Sequence, residues 1–210
     1  FALLFRAFHT TPHHRRFGAA DQRCGWGRTV SRFVVLLRGV NVGKGNRVPM
    51  AEFRAALEEL GHGSVRTLLN SGNAVFSSTE SSTGTLAASI ANVVEVRFGV
   101  VTPAIVKSAA EVDAIVQNNP FPPPEAAHSR FLVAFAMGTT RLHELAPLSP
   151  LVQPDERFSI TEHAAYLHCP GGLLESKVGK AIVGRAGRSI TTRNWATVLK
   201  LAALLGEGAA

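Results

Sequence analysis

Two cysteines in 210 residues, Cys24 and Cys169, are too few and too far apart for a disulfide framework. That scarcity favours a reducing compartment over a secreted scaffold. No apolar run approaches the roughly 20 residues that span a bilayer, so no membrane helix is expected. The histidines His62, His128, His143, His163 and His168 show no zinc spacing, and no metal site or cofactor is expected. Gly43-Lys44-Gly45 is not a Walker motif, which needs four residues between its glycines and a Ser or Thr after the Lys. Ser71 lacks the flanking glycines of a nucleophile elbow, and Glu162 and Glu175 form no recognisable acid/base pair. A hydrolase triad and a dinucleotide fingerprint are absent too, so the sequence names no reaction.

Acidic residues are scarce as well, but unevenly. The formal charge is +7, of which residues 1–30 supply +4 from five arginines against one aspartate, leaving +3 for the rest. The basicity of the whole chain is therefore weak evidence for nucleic-acid binding. Residues 1–30 have no sustained periodicity and resemble a transit peptide in composition. The preferred expectation is that they form a disordered, non-native extension, with the protein proper opening near Val30.

What is present is a globular composition, 46% hydrophobic and 18% charged. Phe33 to Leu37 reads as a buried strand, and Pro49 opens a helix whose inner face carries Met50, Phe53, Leu57 and Leu60. Further strands are expected at Val65–Leu69, 74–77, 100–106 (an edge, because of Pro103), Phe131–Ala136, 158–161 and 165–168. Asn70-Ser71-Gly72-Asn73 marks a bulge or tight turn. A helix holding Leu86, Ile90 and Val94 closes at Gly99, and Ser108 to Glu111 is a capping box for the next. Thr140 caps a short helix, and Thr191 or Thr192 caps the last one, whose apolar side includes Trp195. Residues 173–190 read as a looser basic segment with Lys177, Lys180, Arg185 and Arg188. The stiff run Phe121 to Pro124 suggests a boundary between lobes 31–119 and 120–210. The class is α+β, and no internal repeat is visible by eye.

The blocks LLRGVNVGKGNRVPMAEFRAALEELG, VRTLLNSGNAVF, NPF, SKVGKAIVG and TTRNWATVLKLAALL, in that order over residues 32–205, resemble the bacterial family called domain of unknown function 1697. The resemblance implies two ferredoxin-like or related small α/β lobes with mixed sheets, and no established activity. Departures are Gly43-Lys44-Gly45 in place of paired glycines, Leu68 in place of an aromatic, and Ala196 in place of an Asn.

The residues for chemistry fall in polar blocks. Arg38, Asn41, Lys44 and Asn46 lie between a strand and a helix start, where unpaired N–H groups attract anions. Asn70, Ser71 and Asn73 lie in the turn, and Arg193 and Asn194 precede the last helix. Lys177 is a minority candidate for phosphate. Against this stands the bland reading: Asn and Gly in turns often serve positive φ, and the threonines cap helices. Arg38 is the leading candidate, since an arginine directly after a buried strand needs an acidic partner or a ligand. Trp195 is more simply core than a stacking platform. The favoured function is a cytoplasmic binder of a small anionic or phosphorylated ligand. The alternatives are an enzyme acting on such a metabolite and, more weakly, a nucleic-acid-binding module.

Overall fold

A computed structural model describes residues 29–207, apart from Lys44 and Arg185. Residues 1–28 of the expected extension over 1–30, and any role for Lys44 or Arg185, lie outside the described residues.

The first half runs β1 (Ser31–Leu37), α1 (Met50–Glu59), β2 (Gly63–Leu68), β3 (Asn73–Ser78), α2 (Thr83–Phe98) and β4 (Ala104–Ser108). It is followed by α3 (Ala109–Gln117). The second half repeats that order: β5 (Phe131–Ala136), α4 (Thr139–His143), β6 (Arg157–Ile160), β7 (Ala165–His168), α5 (Lys177–Val183), β8 (Ile190–Asn194) and α6 (Trp195–Gly206). The sheet orders are β2-β3-β1-β4 and β6-β7-β5-β8. Each half is thus a ferredoxin-like βαββαβ unit with a trailing helix, a duplication that the residue identities hide. The α+β, two-lobed expectation holds. The sheets are antiparallel throughout rather than mixed, because in each half the third strand inserts between the two parallel ones.

Strand alternation explains the layering. Phe33, Val35 and Leu37 face a core with Phe53, Leu57, Ile90 and Val94 of α1 and α2. Val34 and Leu36 point the other way, into a core shared with Val133, Phe135 and Tyr166 of the second sheet. Val112 and Ile115 of α3 and Val198, Leu201 and Leu205 of α6 fill that shared layer. Trp195 is buried there, edge-on to Phe131 at 5.5 Å between ring centroids, so the core reading of this residue is right. The Tyr166 hydroxyl donates to the Ile115 carbonyl at 2.8 Å across the seam. Large continuous apolar burial of this kind joins the lobes firmly. It also covers the inner faces on which an open four-stranded sheet could stack bases.

Local expectations differ from the structure at several points. Leu60 follows α1 as its exposed C-cap and not on its inner face, and the strand expected at 100–106 runs Ala104–Ser108. Thr191 and Thr192 do not cap α6. They continue strand β8 opposite Phe135 and Ala134, as β-branched residues favour, and Asn194 is the cap. The segment after Gly172 is not loose, since Ser176 accepts from Gly179 N–H and starts α5. The short α4 begins after Gly138, without a side-chain cap from Thr140.

Candidate functional site

Three sequence-distant segments meet at the seam between the halves: the loop after β1, the hairpin turn between β2 and β3, and the β8–α6 junction. They surround a cavity of about 690 Å³, large enough for a small metabolite. Its polar lining includes Arg38, Ser71, Thr192, Arg193, Asn194 and Thr197, and its apolar lining includes Val40, Val42, Leu69, Leu173 and Val183. No acidic residue is among the described lining.

The turn is held open for this by backbone geometry. Gly72 sits at φ +72°, and a Cβ there would approach Val40 and Leu37 to 2.6 and 2.7 Å, so only glycine fits. Its carbonyl accepts from Leu37 N–H at 2.8 Å, tying the turn to the end of β1. Leu69 has φ +57°, a conformation costly for a residue with a Cβ, and its side chain is exposed at the cavity.

Arg193 is the centre of the arrangement. It is 9% exposed, yet no carboxylate bonds it among the described residues. Its Nε donates to Asn73 Oδ1. Nη1 donates to Thr191 Oγ1 and Thr192 O at 2.8 Å, and Nη2 to Leu37 O at 2.8 Å and Ser71 O at 2.9 Å. All five donors of the guanidinium are engaged. Burial pushes its pKa down to about 10, so at neutral pH it is still a cation. Arg193 therefore staples the second half to the first and projects an unneutralised charge, but it has no N–H left for a ligand.

Among the described residues Arg38 meets no acidic side chain, and backbone carbonyls accept from it instead. Its Nε donates to Ile190 O at 2.9 Å and Nη2 to Val183 O at 3.0 Å and Gly184 O at 3.3 Å. Carbonyls at a helix C-terminus carry partial negative charge, which satisfies a cation without a carboxylate. Its Nη1 has no hydrogen-bond partner among the described residues and lies on the cavity residue best able to contact a ligand.

The asparagines divide. Asn41 and Asn46 have φ of +56° and +51°, and their amides brace the loop. Asn41 Nδ2 donates to Val48 O and Asn70 O at 2.9 Å and its Oδ1 accepts from Val48 N–H, while Asn46 Nδ2 donates to Gly39 O at 3.2 Å. Asn73 is fully buried, donating to Leu68 O and Ser71 Oγ. The side chains of Asn41, Asn46 and Asn73 are thus engaged in hydrogen bonds within the protein. Asn70 contributes its carbonyl and is absent from the cavity lining, as is Lys177 at the exposed start of α5. Asn194 lines the cavity while its Oδ1 caps α6 by accepting from Thr197 N–H at 2.9 Å and Thr197 Oγ1 at 2.7 Å. Thr197 and Leu69 were not singled out by sequence; the cap spacing Asn-x-x-Thr was the available signal for the first, and nothing marked the second. No group of metal-binding side chains occurs among the described residues.

Comparison with known proteins agrees with this architecture. The family model described as "Protein of unknown function (DUF1697)" matches residues 30–166. The chain belongs to that family. A solved structure, that of conserved bacterial protein SP0830 from Streptococcus pneumoniae, is similar with a TM-score of 0.70 at 25% identity, covering 84% of this chain and 99% of that one. Among curated proteins none matches. No helix among the described residues is long and apolar enough to cross a membrane.

Proposed function

We propose that this member of the DUF1697 family binds a small anionic, phosphorylated ligand in the cavity at the seam, in a reducing, cytoplasmic setting. The observation that carries the reading is the buried Arg193 cation beside a cavity with no acidic residue among its described lining. A buried charge without a counter-ion is costly, and a bound anion relieves that cost. The direct contact falls to the remaining donors of Arg38, with the amide of Asn194 and the positive end of α6 alongside. Val40, Val42, Leu69 and Val183 suit an uncharged, apolar body on the same ligand.

A thermal-shift screen of nucleotides and phosphorylated metabolites tests this. Ligand at a hundredfold over its dissociation constant stabilises by about 2.7 kcal/mol, a readily measured shift. Arg38→Gln, checked for retained folding by circular dichroism, is expected to weaken the hit by tenfold or more. A hit unaffected by Arg38→Gln, or no stabilisation by any anion, contradicts the reading.

A further inference from the structure

The internal duplication aligns two buried cations. In the first half Ser108 is both the last residue of β4 and the N-cap of α3, and in the second Asn194 is both the last residue of β8 and the N-cap of α6. Lys107 and Arg193 each precede that cap, and they pair across the sheet with Val34 and Val133, which both face the shared core. Three residues after the caps stand Glu111 and Thr197, each donating its backbone N–H to the cap side chain.

The chemistry of the two positions differs by one charge. Glu111 Oε1 accepts from Lys107 Nζ at 2.9 Å and its Oε2 accepts from Ser108 N–H, so the first cation is neutralised within its own helix turn. Burial disfavours the Glu111 carboxylate, but these hydrogen bonds and the Lys107 charge outweigh it and hold the pKa below its ordinary value. In the second half Thr197 supplies no charge, and both it and Arg193 line the cavity.

Building on the proposed anion site, we infer that the anionic group of the ligand takes the place that Glu111 fills in the first half, and that Thr197 is the position which leaves that place vacant for it. The ligand's negative group then lies at the N-terminal turn of α6, opposite Arg193, with Thr197 and Asn194 beneath it. A carboxylate introduced at 197 is a built-in competitor for that group.

Three full-length chains test this: the natural one, Thr197→Gln and Thr197→Glu. Gln matches Glu in size without its charge. Each is titrated calorimetrically with phenyl phosphate, a ring carrying one phosphate, at fixed ionic strength, and melted at low and at 0.5 M salt. Thr197→Glu is expected to bind at least tenfold more weakly than Thr197→Gln, which takes up the same space without the charge. Thr197→Glu is also expected to melt above Thr197→Gln at both salts. A gain due only to the exposed helix dipole is screened by 0.5 M salt, whereas a buried pair with Arg193 is not. Equal binding by the Glu and Gln chains, or a Glu advantage that vanishes at high salt, overturns this inference and leaves the anion site standing. Failure of the natural chain to bind phenyl phosphate, with the salt-resistant advantage of Glu retained, counts against the proposed ligand and supports the vacant charge position.

Discussion

The two halves share one topology and differ where they meet. The first half has a long connection after its opening strand, residues 38–49, and a 16-residue α2. The second passes from β5 to α4 through Met137 and Gly138 alone, and its α5 has 7 residues. The long connection bends over the seam, and the short helix ends where Arg38 can bond its last carbonyls. A site thus arises from unequal decoration of a repeated scaffold, with Arg193 holding the two together. The lesson is that a duplicated fold frees one copy of a stabilising group. Where the first copy keeps the Lys107–Glu111 pair, the second has an arginine supported by carbonyl oxygens beside open space.

The sharpest way to break that contrast is to remove each cation. Arg193→Met leaves Ser71 O and Asn73 Oδ1 without this partner and Leu37 O with only the longer bond from Thr191 Oγ1, and is expected to destabilise by about 3 kcal/mol or more in urea unfolding. Lys107→Met, whose partner Glu111 keeps its Ser108 bond, is expected to lose only about 1 kcal/mol, and equal losses would erase the distinction. Asn41→Ala removes the brace of the long connection and puts alanine at φ +56°, with an expected loss of about 2 kcal/mol; a negligible change in the melt would mean the loop is held some other way.

Acid should separate the halves next. The Glu111 pKa is lowered in the folded state, so its contribution is fully present above the unfolded value and is lost as pH falls through the folded one. Urea midpoints for the natural chain should therefore fall as pH drops below about 4.5, more steeply than those of Glu111→Gln. Parallel curves would show that the pair adds nothing. Arg193 stays charged throughout that range and contributes no slope there. The smallest effect is expected at Leu69→Gly, a gain of about 0.5 kcal/mol, as relief of the positive φ slightly exceeds the entropy glycine adds to the unfolded chain. A loss of stability would show that the leucine side chain packs usefully in the free protein.

Much of the fold was legible because local signals agreed with the tertiary structure. The buried run before Arg38, the Ser108 capping box and the Gly99 stop all stand as read. The duplication was not, because it resides in strand order while equivalent positions carry unlike residues, as at Val75 and Tyr166. The meeting of the Arg38, Asn70–Asn73 and Arg193 segments was not legible, because it depends on which strands are neighbours, and neither was their division of labour. Whether an arginine faces a ligand or a carbonyl depends on which chain ends lie within hydrogen-bond reach, and here those belong to β1 and α5, remote in sequence. Thr191 and Thr192 misled because a threonine suits both a helix cap and a strand, and pairing with β5 decided between them.

The most direct test is an NMR titration of the natural chain with phenyl phosphate, following backbone amides and the arginine Nε–H groups. The account predicts saturable shifts confined to Arg38, Ser71, Arg193, Asn194 and Thr197. Shifts elsewhere on the molecule, with these signals unmoved, would contradict it.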